Sequence, residues 1–133
     1  MIVVDTNIIA YLCIPGDHTT DVENLFRQES HWVAPFLWRS EFRKVLSDYI
    51  RDQKMTLEQA RKLAEKAEAL LHENEYFVTS SKVLELASTS RCSTYDCEFV
   101  ILAQDLNIAL VTMDKKILKA FPKTAVSISN FLK

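Results

Sequence analysis

The chain has 133 residues and a mass of 15.3 kDa, is 48% hydrophobic and 26% charged, and carries a formal net charge of −2 with an isoelectric point near 5.9. That is enough apolar material for the core of one domain and excludes a disordered chain, while the net acidity excludes nucleic-acid binding by bulk charge alone, leaving a local basic patch or a bound cation. Gly16 is the only glycine, so the multi-glycine loops by which Walker A and dinucleotide sites bring backbone amides up to phosphate are excluded as well.

In chain order, the apolar run Ile2-Val3-Val4 predicts a first strand ending at Asp5, followed by a helix from Asn7 towards Cys13 that Pro15-Gly16 breaks. Val22, Leu25 and Phe26 fall at helical spacing and predict a helix over 21–29. Trp32-Val33-Ala34 is a short strand closed by Pro35. From Phe36 to about Asp52 a helical stripe carries Trp38, Phe42, Val45, Leu46 and Tyr49, with Glu41 at its border, roughly 60° from the centre at about 100° per residue. Thr56-Leu57-Glu58-Gln59 has the form of a capping box. It opens an amphipathic helix bearing Leu57, Ala60, Leu63, Ala64, Ala67, Leu70 and Leu71.

Tyr76-Phe77-Val78 predicts a third strand, and 81–90 a helix. Ser93 starts another helix, apolar nearly all round at Phe99 to Ala103 and therefore central. A strand over 109–112, a short helix over 115–120 and a fifth strand over 125–128 complete the alternation. Strands alternating with helices, without linker or repeat, predict a single α/β domain over 1–133 with a short parallel sheet of about four or five strands flanked by helices.

Cys13, Cys92 and Cys97 show no C-x-x-C spacing, and His18, His31 and His72 stand at no ligand spacing from them, so a structural zinc is not expected. The start of the chain lacks a charged region followed by a long apolar stretch, and no run approaches the ~20 apolar residues of a membrane span. These features lead to the expectation of a cytoplasmic protein with reduced thiols.

Four acids stand at element boundaries: Asp5, Glu41, Asp96 and Asp114. Each alone has an ordinary explanation, since Asp5 and Asp114 could cap the helices after them, Asp96 could complete a capping pattern with Ser93, and Glu41 could pair with Lys44. Together, two strand ends, a buried helix start and the border of an apolar face would aim four carboxylates at one region. Close carboxylate pairs repel by roughly 1 to 4 kcal/mol. Such a set calls for a hard cation with open positions, Mg²⁺ or Mn²⁺, and thus for chemistry on phosphate.

Met1-Ile2-Val3-Val4-Asp5-Thr6-Asn7, Ser40-Glu41-Phe42, Tyr95-Asp96 and Thr112-Met113-Asp114-Lys115-Lys116 together resemble, in order and interval, the PIN-domain ribonucleases, especially the VapC-type toxins of toxin–antitoxin pairs. The resemblance implies Mg²⁺- or Mn²⁺-dependent endonucleolytic cleavage of RNA, 5′-phosphate and 3′-hydroxyl products, frequent homodimers and a cognate VapB-like antitoxin. It makes Asp5 and Asp96 the first choice of metal ligands, with Asp114 completing the cluster and Glu41 binding through water or assisting deprotonation. Thr6, Asn7 and Thr112 are candidate donors orienting the carboxylates, and Arg39, Arg43, Lys44, Lys115 and Lys116 candidate contacts to RNA.

Lys44 and Trp38-Arg39 depart from the residues usual around the second acid, which leaves the ligands intact and bears on substrate preference. A haloacid-dehalogenase-type phosphatase would need a D-x-D pair, where this chain has Asn7, and a receiver domain would need adjacent acids after its first strand. The remaining alternative is a PIN-fold module that binds RNA or protein with weak or no catalysis.

Overall fold

The structure, a computed structural model, describes residues 1–133. Five strands, β1 (Ile2–Val4), β2 (Trp32–Pro35), β3 (Glu75–Tyr76), β4 (Leu110–Val111) and β5 (Ala125–Val126), form an all-parallel sheet in the order β3-β2-β1-β4-β5. The register sets Val3 beside both Val33 and Leu110, and Val4 beside Val111. Every side chain of β1, β2 and β4 is buried, which is why these segments are continuous apolar runs with no polar alternation.

Eight helices cover the sheet: α1 (Thr6–Cys13), α2 (Thr19–Gln28), α3 (Leu37–Arg51), α4 (Leu57–Leu70), α5 (Ser80–Thr89), α6 (Thr94–Leu106), α7 (Lys115–Ala120) and α8 (Ile128–Phe131). Connections β1 to β2 and β2 to β3 run one way across the sheet, those from β3 to β4 and β4 to β5 the other. With right-handed crossovers, α1 to α4 then lie on one face and α5 to α7 on the opposite one. The reversal opens a crevice at the carboxyl ends of β1 and β4, the usual ligand position in such sheets. Asp5 and Asp114 follow those two strands.

Helix α6 packs on β1, β2 and β4 and buries Cys97, Phe99, Val100, Ile101, Leu102 and Ala103, as its nearly uniform apolar surface predicts. Helix α3 buries Trp38, Phe42 and Leu46. The predicted capping box of α4 is complete: Gln59 N donates to Thr56 Oγ1 at 3.1 Å and Thr56 N to Gln59 Oε1 at 2.9 Å.

The structure departs from the sequence expectation in several places. Helix α1 begins at Thr6, directly after Asp5, whose side chain accepts from Thr6 N at 2.8 Å and acts as the N-cap. Strand β3 lies one residue earlier than predicted and ends at Tyr76, where its partner β2 ends, leaving Phe77 87% exposed. The fifth strand stops at Val126 because Ser127 Oγ accepts from Asn130 N at 3.2 Å and starts α8, a helix not anticipated. Leu57, expected on the apolar face of α4, is exposed because it is the first residue of that helix. No helix is long and apolar enough to cross a membrane.

Candidate functional site

Asp5 is held by its backbone first. Its N–H donates to Val111 O of β4 at 3.0 Å, and its carbonyl accepts from Ile8 N at 3.0 Å, so strand pairing and helix start together fix where the side chain emerges. Oδ1 accepts from Thr6 N at 2.8 Å, and Oδ2 accepts from the Thr112 hydroxyl at 2.6 Å and from Asn7 Nδ2 at 3.5 Å. Thr112 is fully buried at the end of β4, and its Oγ1 also accepts from Asp114 N at 3.0 Å. On the other side Thr6 donates its hydroxyl to Glu41 Oε1 at 2.6 Å. A continuous hydrogen-bonded row thus runs from Glu41 through Thr6, Asp5 and Thr112 to the backbone of Asp114. Asn7 Oδ1 adds a contact to Met113 N at 3.4 Å.

Asp96 stands in the first turn of α6, its N–H donating to Ser93 Oγ at 3.1 Å. Asp114 caps α7, accepting from Lys116 N at 2.8 Å and Ile117 N at 3.3 Å. Capping and clustering therefore coincide for Asp5 and Asp114. The alternative pairing of Glu41 with Lys44 does not form, because Lys44 reaches Asp48 at 2.9 Å, one helical turn along the surface.

The electrostatics link the four acids. Burial pushes the Asp5 carboxyl up to about 6, with the charges of Glu41 and Asp96 adding to the rise and the Thr112 and Thr6 donors opposing it. Glu41 is raised by burial and by Asp96 and Glu98. Asp96 is raised by burial and by Asp114, and Lys116 partly compensates it. Glu98, raised by burial, is thus a further acid within electrostatic reach of Glu41. It was missed in the sequence because two residues along a helix from Asp96 is not a same-face spacing.

No three His, Cys, Asp or Glu side chains are gathered in a ready-made metal geometry, so the sequence expectation of acids meeting at one point is realised as mutual electrostatic reach around a hydrogen-bonded row. The donor chemistry nevertheless fits a hard divalent cation: the groups are carboxylates, hydroxyls and an amide, all offering oxygen, with negative charge partly buried among them and only partly compensated.

The basic residues divide. Arg39 is committed elsewhere: Nε and Nη2 hold Glu75 at 2.6 and 2.7 Å, and Nη1 holds Glu68 at 3.1 Å. These bonds tie α3 to β3 and α4 and engage three of its five N–H donors, so any contact of Arg39 with RNA competes with Glu75 and Glu68. Arg43, Lys115 and Lys116 are exposed and form no ion pair, while Lys44 is exposed and paired with Asp48.

The PIN domain family model matches residues 2–123. The chain belongs to the PIN domain family, whose members are generally nucleases and typically use divalent metals. Among solved structures, it is similar to PAE2754 from Pyrobaculum aerophilum, with a TM-score of 0.78 and 18% identity over 98% of this chain and 85% of that one. At that identity the likeness speaks for the fold. No curated protein sequence matches the chain.

Proposed function

We propose that this protein is a Mg²⁺- or Mn²⁺-dependent endoribonuclease, the toxin of a VapBC-type pair. The observation that carries the reading is the row Glu41–Thr6–Asp5–Thr112–Asp114 at the reversal point of the sheet, with Asp5 pushed up to about 6 by burial and neighbouring negative charge. Asp5 and Asp96 would hold the metal, with Asp114 joining directly or through water. When bound, the cation supplies an acidified water as nucleophile and neutralises charge on the phosphate oxygens.

The chain's own groups do the rest. Thr6 and Thr112 hold the Glu41 and Asp5 carboxylates in place by donation, leaving their remaining lone pairs for ligands. Glu41 is positioned to accept a proton, since its raised affinity for one brings it nearer to working pH. Arg43, Lys44, Lys115 and Lys116 are the cations near these acids in sequence that remain at the surface for the RNA backbone. A homodimer is supported by the exposed apolar surface of Phe36, Phe77 and Leu84, where Phe36 and Phe77 stack at 4.5 Å. The VapB-like antitoxin follows from the resemblance alone.

The test is cleavage of structured and single-stranded RNAs by wild type, Asp5→Asn and Asp96→Asn in EDTA, Mg²⁺ and Mn²⁺. Metal-dependent cutting that either substitution abolishes is expected, with 5′-phosphate ends on the products. RNA retained by wild type but cut under no condition would leave a binding module on a nuclease fold.

A further inference from the structure

Beyond the acids, a groove of about 550 Å³ runs between the end of α5 and α7, lined by Leu86, Ser90, Arg91, Lys116, Lys119 and Phe121 among others. Its charge is of one sign. Three cations line it and no carboxylate does. In a chain of net charge −2, this gathers positive charge at one exposed place where an anion can bind. Lys116 and Lys119 stand three residues apart on α7, so they share a helix face where like charges repel.

The groove is also continuous with the candidate active site. Lys116 borders it and acts on the Asp96 carboxyl, and α7 is capped by Asp114 itself. Phe121, Leu86 and Ala120 give its floor an apolar component, as a ribose or an unstacked base beside a phosphate would use.

We propose that the groove of Arg91, Lys116 and Lys119 is a backbone track for RNA, holding phosphates of the strand that flanks the scissile bond as it leaves Asp96 and Asp114. The inference rests on the ribonuclease reading above. It adds two residues, Arg91 and Lys119, that no motif in the sequence marks, and it assigns recognition on this side of the site to sugar and phosphate, without base readout.

The experiment is RNA binding by the Asp96→Asn protein, followed by fluorescence anisotropy of a labelled single-stranded RNA across a range of salt, with and without the further pair Arg91→Ala and Lys119→Ala. Losing two phosphate contacts should weaken binding roughly tenfold at low salt and reduce the slope of log K against log salt by about 1.4. Arg91→Lys with Lys119→Arg should restore the slope. Lys82→Ala, which removes a cation at the opposite end of α5 paired with Asp105, should leave it unchanged. An unchanged slope in the Ala pair, with RNA still cut by wild type, overturns the track and leaves the ribonuclease reading standing. Ala-pair variants that bind RNA normally but lose an acidic peptide would hand the groove to a protein partner and overturn the track too. Absence of RNA binding and cutting by the unsubstituted chain overturns both.

Discussion

Thr112 and Asp5, separated by 107 positions in the sequence, meet through a 2.6 Å hydrogen bond from the Thr112 hydroxyl to Asp5 Oδ2. The bond favours the charged carboxylate and opposes the rise that burial imposes. Replacing Thr112 with Val keeps the volume and removes the donor, along with the acceptor for Asp114 N. We expect a loss of about 1–3 kcal/mol in stability and, in the cleavage assay, an acidic limb of kcat/KM displaced to higher pH because Asp5 now binds its proton more tightly. Thr112→Ser should restore the limb. A lower melting temperature with the limb unmoved would reduce Thr112 to a packing role.

Asp5 itself gives a stability test with a definite sign. Its folded carboxyl titrates near 6 against an ordinary 3.8, so the fold binds this proton more tightly than the unfolded chain does. The associated stability is fully present below about pH 4 and is lost as pH rises through 6, amounting to no more than about 3 kcal/mol. Asp5→Asn removes the charge while keeping an oxygen for Thr6 N. In the absence of divalent metal, the variant should melt higher than wild type at pH 7.5, on the order of 5 °C. At pH 4 the two should converge. A variant less stable than wild type at pH 7.5 would show that the carboxylate is well compensated by its donors.

Divalent cations should act on the same balance from the other direction. A metal that binds the folded acids and not the unfolded chain stabilises by mass action, about 1.4 kcal/mol at ten times its dissociation constant. Mn²⁺ or Mg²⁺ at millimolar concentration should therefore raise the melting temperature of wild type at pH 7.5. Asp96→Asn should shrink that gain, since Asp96 adds to the charge felt by both Asp5 and Glu41. An equal shift in wild type and variant would place the cation elsewhere.

The sheet and the acids at its edge were legible because they depend on local pattern. Ile2 to Val4 and Ala109 to Val111 are apolar runs that only a buried parallel strand explains, and an acid after such a run emerges at the carboxyl edge whatever the rest of the chain does. What escaped the sequence depends on distant partners or on turn chemistry. Arg39 looked available because Glu75 is 36 residues away in sequence, and Arg91 and Lys119 gain meaning only when α5 and α7 are set side by side. The end of β5 was misread because Ile128 continues an apolar run while Ser127 has already begun a helix. Turns gave little signal in a chain with one glycine: Gln53, Glu73 and Asn107 take the left-handed conformation instead, with φ of 58°, 66° and 55°.

Arg39 offers the sharpest separation of structure from function among the basic residues. Glu75 has a side chain only 6% exposed, and its carboxylate accepts from Arg39 twice and from Trp38 Nε1 at 2.8 Å. The Arg39 pairing holds the Glu75 carboxyl below its ordinary range. Arg39→Ala would leave that carboxylate with the indole as its one side-chain donor, in a place where water reaches poorly, so we expect a loss of about 2 kcal/mol, discounted for the partial exposure of the arginine. Glu75→Gln in the same background should recover part of it, because the neutral amide no longer needs a cation. RNA affinity of the folded Arg39→Ala protein should match wild type, whereas Arg43→Ala should weaken binding and lower the salt slope by about 0.7. A salt slope that falls on removing Arg39 would return that residue to the RNA surface and show that its pairing with Glu75 yields to phosphate.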